Sequence, residues 1–386
     1  MTMLRKIAVC PCAAVFFILL AAVTVFDVLT PDADISELEN RALKQRPVFS
    51  AGTLVENRWT KEYGEYVREQ FVFRNGLLRM HSFLEQSLQK LEVGDVWLGK
   101  DGYLFAKTPY EEATVQPVLR TNVSAICRFA ENFPGNVYVL LVPSASNILA
   151  DHLRLDPPRM DENAVLDAVY KTLDEAGVIT IDVREALRRA LREQAATGAQ
   201  LYYRTDHHWT TDGGALIAYR AFCSAAGRVP VTPAADMMKF TDGFLGSNYA
   251  KALITGAKPD RLVYYDFPNA ISIEKRASDG TVYMQEEPLM AYDKFLTNDM
   301  YGAFLNGING YTHIDGDGDG SIVVIKDSFG NCFAPFLISN YGAIEAVDLR
   351  GRQNIGDLIT PDSDVLILYS FTMFAQDVDL FRLPAA

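Results

Sequence analysis

The sequence predicts an α/β fold, a parallel sheet with helices on both faces, preceded by an N-terminal transmembrane helix. Three observations predict it. From about residue 120 short apolar strands alternate with amphipathic helices, an apolar strand stops in Asp327-Ser328 before a helical stretch, and Ile7 to Phe26 holds no charged side chain. Alternation of that kind buries a parallel sheet under helices, and an uncharged run of this length matches a bilayer.

The N-terminal run follows a basic pair, Arg5 and Lys6. Twenty residues of helix span roughly 30 Å, and the preceding charges favour a cytoplasmic N-terminus with the rest of the chain extracytoplasmic. A cleaved signal peptide is the rival reading, but no small-x-small site precedes Thr30 to Asp34. Both place the protein in the same compartment. Residues 1–29 are thus read as basic flank and membrane anchor, 30–119 as a helical and hairpin extension, and 120–386 as the catalytic domain.

Within the extension, a helical pattern begins near Leu54, and a second run, Leu77, Leu78, Met80, Phe83, Leu84, Leu88 and Leu91, keeps three-to-four spacing. An amphipathic helix packed on the main domain is expected. Val96 to Phe105 reads as a hairpin around Lys100-Asp101-Gly102, residues that permit positive φ. Its Trp97, Tyr103 and Phe105 are expected in the core rather than stacked on sugar rings.

In the catalytic domain, strands are expected over Asn136–Val142, Val178–Val183, Ser321–Lys326, Ala343–Leu349 and Asp364–Tyr369. Helices are expected over Asn163–Ala176 and Arg184–Ala195. The stretch from about 230 to 320 is less regular and is read as an insertion or lid-like segment.

Composition narrows the function. The net charge is −13 with a pI near 4.9, and no basic stretch occurs beyond the membrane flank, so nucleic acid is excluded as a partner. Cys10 and Cys12 lie in the apolar run, leaving Cys127, Cys223 and Cys332. Three widely spaced cysteines make neither a disulfide framework nor a zinc site.

Two segments carry chemistry. In Tyr203-Arg204-Thr205-Asp206-His207-His208-Trp209-Thr210, a carboxylate two positions before a histidine can share one side of an extended loop and accept its Nδ1 proton, leaving Nε2 as a general base. In Ser321 to Asn331, Ser328 sits where a strand gives way to a helix, the place where α/β enzymes put a nucleophile and where backbone N–H groups meet a developing oxyanion. The blander reading of Ser328 is a helix cap. His207 is read as a neighbour or a substrate contact. Asp206, His207 and His208 also have the donors of a metal site, although adjacent histidines project differently. Asp315-Gly316-Asp317-Gly318-Asp319-Gly320 imitates a calcium loop, but its twelfth position is Lys326 where a bidentate glutamate is required. No cofactor or metal is expected.

These segments occur in the order of a circularly permuted SGNH hydrolase. Lys326-Asp327-Ser328 and Asp364 to Leu368 resemble that family's N-terminal half, while Val137 to Pro143, Ile181-Asp182 and Asp206 to Thr210 resemble its C-terminal half. Together with Gly99 to Phe105, this resembles the DHHW proteins and the alginate O-acetyltransferase-like branch of the SGNH hydrolases. The resemblance implies Ser328 as nucleophile, His208 as base and Asp206 as its orienter. The implied activity is that of an extracytoplasmic O-acetyltransferase or esterase acting on acyl esters of a polysaccharide or oligosaccharide. A membrane-bound O-acyltransferase is a candidate partner. Some members add a carbohydrate-binding module, and this sequence ends soon after its last expected strand, so alginate itself is not implied. The family's oxyanion-hole glycine and asparagine have no evident match. Gly351 and Ser370 are the nearest candidates, with His207 as a substrate contact. The missing asparagine favours the competing class, a non-catalytic envelope scaffold or glycan-binding protein with the same fold.

Overall fold

Every second residue of the central strands faces the same way, and that alternation builds the molecule. The computed structural model describes residues 11–108, 112–194, 200–352 and 354–383; Arg5, Lys6 and Cys10 lie outside them. The chain forms two compact units, residues 1–89 with 253–255, and residues 90–252 with 256–386.

In the first unit, Pro11–Leu29 is a helix whose window Cys12–Leu29 has a mean hydropathy of 2.6, long and apolar enough to cross a membrane. A signal sequence near the N-terminus has the same properties. Helices Arg58–Gln70 and Arg74–Ser87 follow.

The second unit is built on a large sheet of eight strands among the described residues: β1 (Val137–Val142), β2 (Ile179–Thr180), β3 (Ala270–Arg276), β4 (Val282–Pro288), β5 (Tyr311–Asp315), β6 (Ser321–Lys326), β7 (Ala343–Val347) and β8 (Asp364–Ser370). Their order is β4-β3-β5-β7-β6-β8-β1-β2. From β7 to β2 the neighbours are parallel, and β5, β3 and β4 extend that edge antiparallel. The fold is therefore of the expected class, mixed α/β with a mostly parallel sheet.

Side-chain alternation makes two cores. Tyr138, Leu140, Val142, Ile322, Val324, Leu366 and Leu368 face one, completed by Leu187 and by Leu216, Tyr219 and Phe222 of helix Leu216–Ala225. Val137, Val139, Leu141, Val323, Ile325, Val365 and Ile367 face the other, under helices Glu112–Asn132, Glu162–Glu175 and Phe371–Gln376. A strand buried on both faces reads as an unbroken apolar run, which is why these strands were legible.

The stretch from 230 to 320, expected as an irregular insertion or lid-like segment, carries regular strands. It supplies β3, β4 and β5 to the main sheet and a hairpin pairing Met238–Phe244 with Asp260–Tyr265. Its signal was faint because one buried face of β3 rests on only Ile271 and Ile273, while β4 is mostly exposed. The Gly/Asp run before β6 is a turn. Gly316 and Gly318 lie against the Asn340–Tyr341 backbone so closely that a Cβ at either would overlap it.

The hairpin Val96–Leu98 to Leu104–Ala106 forms as expected, with φ 56° at Asp101 and 86° at Gly102. Trp97, Tyr103 and Phe105 are buried in the first core. The hairpin and the helix from residue 112 fall within the second unit.

Candidate active site

The Asp206–His208 segment is the tip of a narrow loop. An antiparallel bridge between Tyr202 and Trp209 closes its base, with Tyr203 N donating to His208 O at 3.2 Å and Thr210 N to Leu201 O at 2.9 Å. Asp260, buried on the neighbouring hairpin, receives Arg204 N at 3.1 Å, Thr205 N at 2.8 Å and the Thr205 hydroxyl at 2.7 Å. The loop is thus held from outside before any catalytic group is considered.

At the tip, Asp206 Oδ1 accepts the His208 backbone N–H at 2.9 Å and stands 2.5 Å from His208 Nδ1. The two-residue spacing works through this turn, in which one oxygen binds both backbone and ring, rather than through the extended loop that the spacing suggested. Asp206 Oδ2 accepts Ser247 N at 2.7 Å. Burial by itself would raise this carboxyl's pKa, but the imidazoles of His208 and His207 and the hydrogen bonds from His208 and Ser247 outweigh it. They hold the group well below the usual carboxylate range. Asp206 is therefore an anion that favours the tautomer with the proton on His208 Nδ1.

His208 Nε2 lies 2.8 Å from Ser328 Oγ across 120 residues of sequence. A bare Nε2 at that distance accepts the hydroxyl proton, which is the geometry an attacking oxygen requires. Ser328 follows β6, an interior strand of the parallel part flanked by β7 and β8, and stands half-buried at its carboxyl end. Ser328, His207 and Ser370 line one pocket of about 320 Å³, with Asn248 and Lys251 also in its wall. Such a volume suits a small acyl group and part of its carrier.

Trp209 donates its indole N–H to Phe329 O at 3.2 Å, fastening the Asp206–His208 loop to the turn that bears Ser328. Asp327 is buried, accepting Phe329 N at 2.9 Å and Ser370 N at 2.8 Å. One carboxyl therefore ties the end of β6 to the end of β8, and its burial pushes its pKa up.

Three expectations for the site change. The helix after Ser328 is a single turn, Gly330–Phe333, giving way to a 3-10 segment from Ala334 to Ser339 with Pro335 near its start. One turn has little macrodipole, and the Phe329 N–H is already engaged by Asp327. Ser370 reaches the pocket, but its N–H serves Asp327 and its hydroxyl caps the last short helix through Met373 N at 3.2 Å. Gly351 does not line the pocket. Its backbone packs on Gly310, where a Cβ would stand 2.7 Å from the Gly310 Cα, so close backbone contact accounts for the glycine.

His207 turns to another partner, its Nδ1 2.5 Å from Ser247 Oγ. Surrounding protein and the neighbouring His208 depress its basicity. Asp206, His207 and His208 offer ligand atoms within 4.8 Å of one another. A metal bound at about 2.0–2.2 Å by nitrogen and oxygen keeps its ligand atoms more than 3 Å apart. The 2.5 Å separation of His208 Nδ1 from Asp206 Oδ1 leaves no room for an ion between these two atoms, which share a proton instead.

Asp260, Ser247, Asp327 and Tyr301 were not singled out in the sequence. Asp327 had a signal, since it adjoins the nucleophile; the others lie in the irregular stretch and have none. Gly246 belongs with them, because a Cβ there would overlap the Asp206 side chain. Gly246→Ala is expected to displace the carboxylate and lower acyl-ester turnover about a hundredfold, the scale of a 1 Å misplacement. Its overpacking should cost about 1–3 kcal/mol of stability. Ester assays beside thermal unfolding check both, and a variant with wild-type turnover refutes the first.

Solved structures share this fold, and curated sequences resemble part of the chain. A solved DHHW family protein from Eubacterium siraeum superposes with a TM-score of 0.56 at 20% identity, covering 75% of this chain and 95% of that one. Bacillus cereus PatB1, solved with a sulfonyl adduct, gives 0.56 at 19%, covering 74% and 98%. A probable alginate O-acetylase AlgJ of Pseudomonas syringae pv. tomato is 22% identical over 231 residues, 59% of this chain and 58% of its own. The Pseudomonas aeruginosa counterpart is 22% identical over 185 residues, and the chain spans less than two thirds of the length of either relative. The DHHW protein family model matches residues 122–347, a span that holds both the Asp206–His208 loop and Ser328. With more than half of its length matched, the chain belongs to the DHHW protein family.

Proposed function

We propose that this protein is a serine-type O-acyltransferase or esterase acting on acyl esters, acetyl above all, of a cell-surface or exopolysaccharide glycan. The observation that carries the reading is the continuous relay from Asp206 through His208 to Ser328 at the wall of a pocket, with 2.5 and 2.8 Å between successive atoms. Family membership and curated relatives named as alginate O-acetylases support the substrate class.

In this mechanism Ser328 Oγ attacks the ester carbonyl while His208 Nε2 takes its proton. Collapse of the tetrahedral adduct breaks the bond to the leaving oxygen, which receives that proton, and leaves an acyl group on Ser328. A glycan hydroxyl, or water, then gives its proton to His208 and attacks the acyl carbon, and Ser328 recovers its proton. Asp206 stays ionised throughout and balances the imidazolium. Transfer prevails over hydrolysis when the acceptor excludes water from the pocket.

The apolar helix Pro11–Leu29 serves as a single-pass anchor in this proposal, with the catalytic unit on the extracytoplasmic side. A membrane-bound O-acyltransferase would supply the acyl group there.

A fluorophosphonate probe tests the reading. Covalent labelling of the full chain that vanishes in Ser328→Ala supports it, and an inert wild type points to the non-catalytic alternative. Incubation with an aryl acetate, with and without acetyl-free oligosaccharides, separates transfer from hydrolysis by the appearance of acetylated sugar.

A further inference from the structure

Tyr301 is the side chain with the closest ring contact to the His208 imidazole. Their centroids are 3.7 Å apart and their planes differ by 8°, a face-to-face stack. The Tyr301 hydroxyl donates to Ser328 O at 3.2 Å and lies 3.4 Å from Cys332 Sγ. One residue thus touches both the ring of the base and the backbone of the nucleophile. It sits in the turn Met300–Ala303, fixed by a bridge between Met290 and Phe304 and by Ala291 N donating to Ala303 O at 2.9 Å. The ring is therefore held before substrate arrives.

Two bonds alone leave an imidazole a soft motion. Asp206 holds Nδ1 and Ser328 meets Nε2, and two bonds made at the ring nitrogens do little to oppose rotation about the Nδ1–Nε2 line or tilting out of plane; the other rings against it, His207 and Phe329, are inclined at 36° and 51°. A flat aromatic face parallel to the ring opposes both. The same face attracts the imidazolium formed when His208 takes a proton, because the π-cloud of an aromatic ring is negative.

From this geometry we propose that Tyr301 is a positioning residue whose stacked ring fixes the plane of the His208 imidazole and favours its charged form during proton transfer. The inference rests on the serine-enzyme reading for its effect on rate, while its effect on the imidazole does not require turnover. The ring is the functional part and the hydroxyl an accessory that steadies the nucleophile turn.

Tyr301→Phe keeps the face and loses the hydroxyl; Tyr301→Leu loses the face. In the full chain, labelling by a fluorophosphonate is expected to slow about tenfold to a hundredfold in Tyr301→Leu, part of the 10²–10⁴ that a positioned base supplies. Tyr301→Phe should slow by only about threefold, with the effect in the limiting rate rather than in half-saturation. Where Tyr301→Leu does not fold, Tyr301→Met replaces it, a side chain that fills the space without a flat face. A readout free of turnover is the low-field Nδ1 proton of His208 in ring-¹⁵N-histidine protein, sharp in wild type and Tyr301→Phe and exchange-broadened in the aliphatic variants. Aliphatic variants that match the wild type in both measurements overturn the proposal, as does Tyr301→Phe falling as far as Tyr301→Leu. Should the wild type resist labelling, the serine-enzyme reading fails and the Nδ1 proton alone decides the role of Tyr301.

Discussion

Ser328→Ala and His208→Ala are each expected to lower acyl-ester turnover by roughly a millionfold, and the double replacement to cost little more than either one. A serine hydroxyl is too weak an acid to attack without a base, and a base whose 2.8 Å partner, the Ser328 hydroxyl, has been removed has no proton to take. Once either member is absent the other contributes nothing, which is the source of the non-additivity. His207 supplies the internal control. It is adjacent in sequence and lines the pocket, yet its Nδ1 is committed to Ser247, so His207→Ala should lose about tenfold or less. Steady-state hydrolysis of an aryl acetate by the three single variants and the double variant measures this. Free-energy losses that add in the double variant, or an inactive His207→Ala beside an active His208→Ala, would show that the two groups do not work as a unit.

Asp206→Asn should reduce turnover by roughly 10⁴-fold while the protein stays folded. The amide is nearly isosteric, so the loop keeps its shape. Its chemistry is wrong at two places. An NH₂ turned toward His208 Nδ1 selects the tautomer with the proton on Nε2, which then has no lone pair for the Ser328 proton. The neutral amide also removes the charge that balances the imidazolium. The native carboxyl is held well below its usual pKa by the imidazoles around it despite its burial, so the charge is present at any pH at which the enzyme would work. Turnover assayed from pH 5 to 9 checks this. A loss that recovers at one end of that range would implicate another acid in the role assigned to Asp206.

Much of the candidate site's geometry was legible because it lies within short segments. Asp206 and His208 are two residues apart, and their contact is settled inside one turn. Ser328 follows, by two residues, a strand whose unbroken apolar run places it at the carboxyl end of a parallel sheet, where ligands meet such folds. The oxyanion side was not legible in the same way. Gly351 looked like a candidate by its place after a strand, but its conformation serves the close approach of Gly310, and a glycine required for packing reads in sequence like one required for a ligand. Ser370 reached the pocket with its N–H already engaged by Asp327, a partner 43 residues away.

The sequence by itself determined the class of fold, the apolar N-terminal helix, the strand that leads to Ser328 and the pairing of Asp206 with His208, since each follows from periodicity or from neighbours along the chain. Only the tertiary structure decided that Asp260 grips Thr205 from 55 residues away, that Ser247 meets Asp206 from 41, and that Tyr301 stacks on the base. All three come from the stretch between 230 and 320, where short exposed strands and turns leave no strong hydrophobic period. A single polar contact between distant residues leaves no repeating pattern in sequence, because its energy comes from one hydrogen bond or one ring face formed after the sheet has brought the partners together.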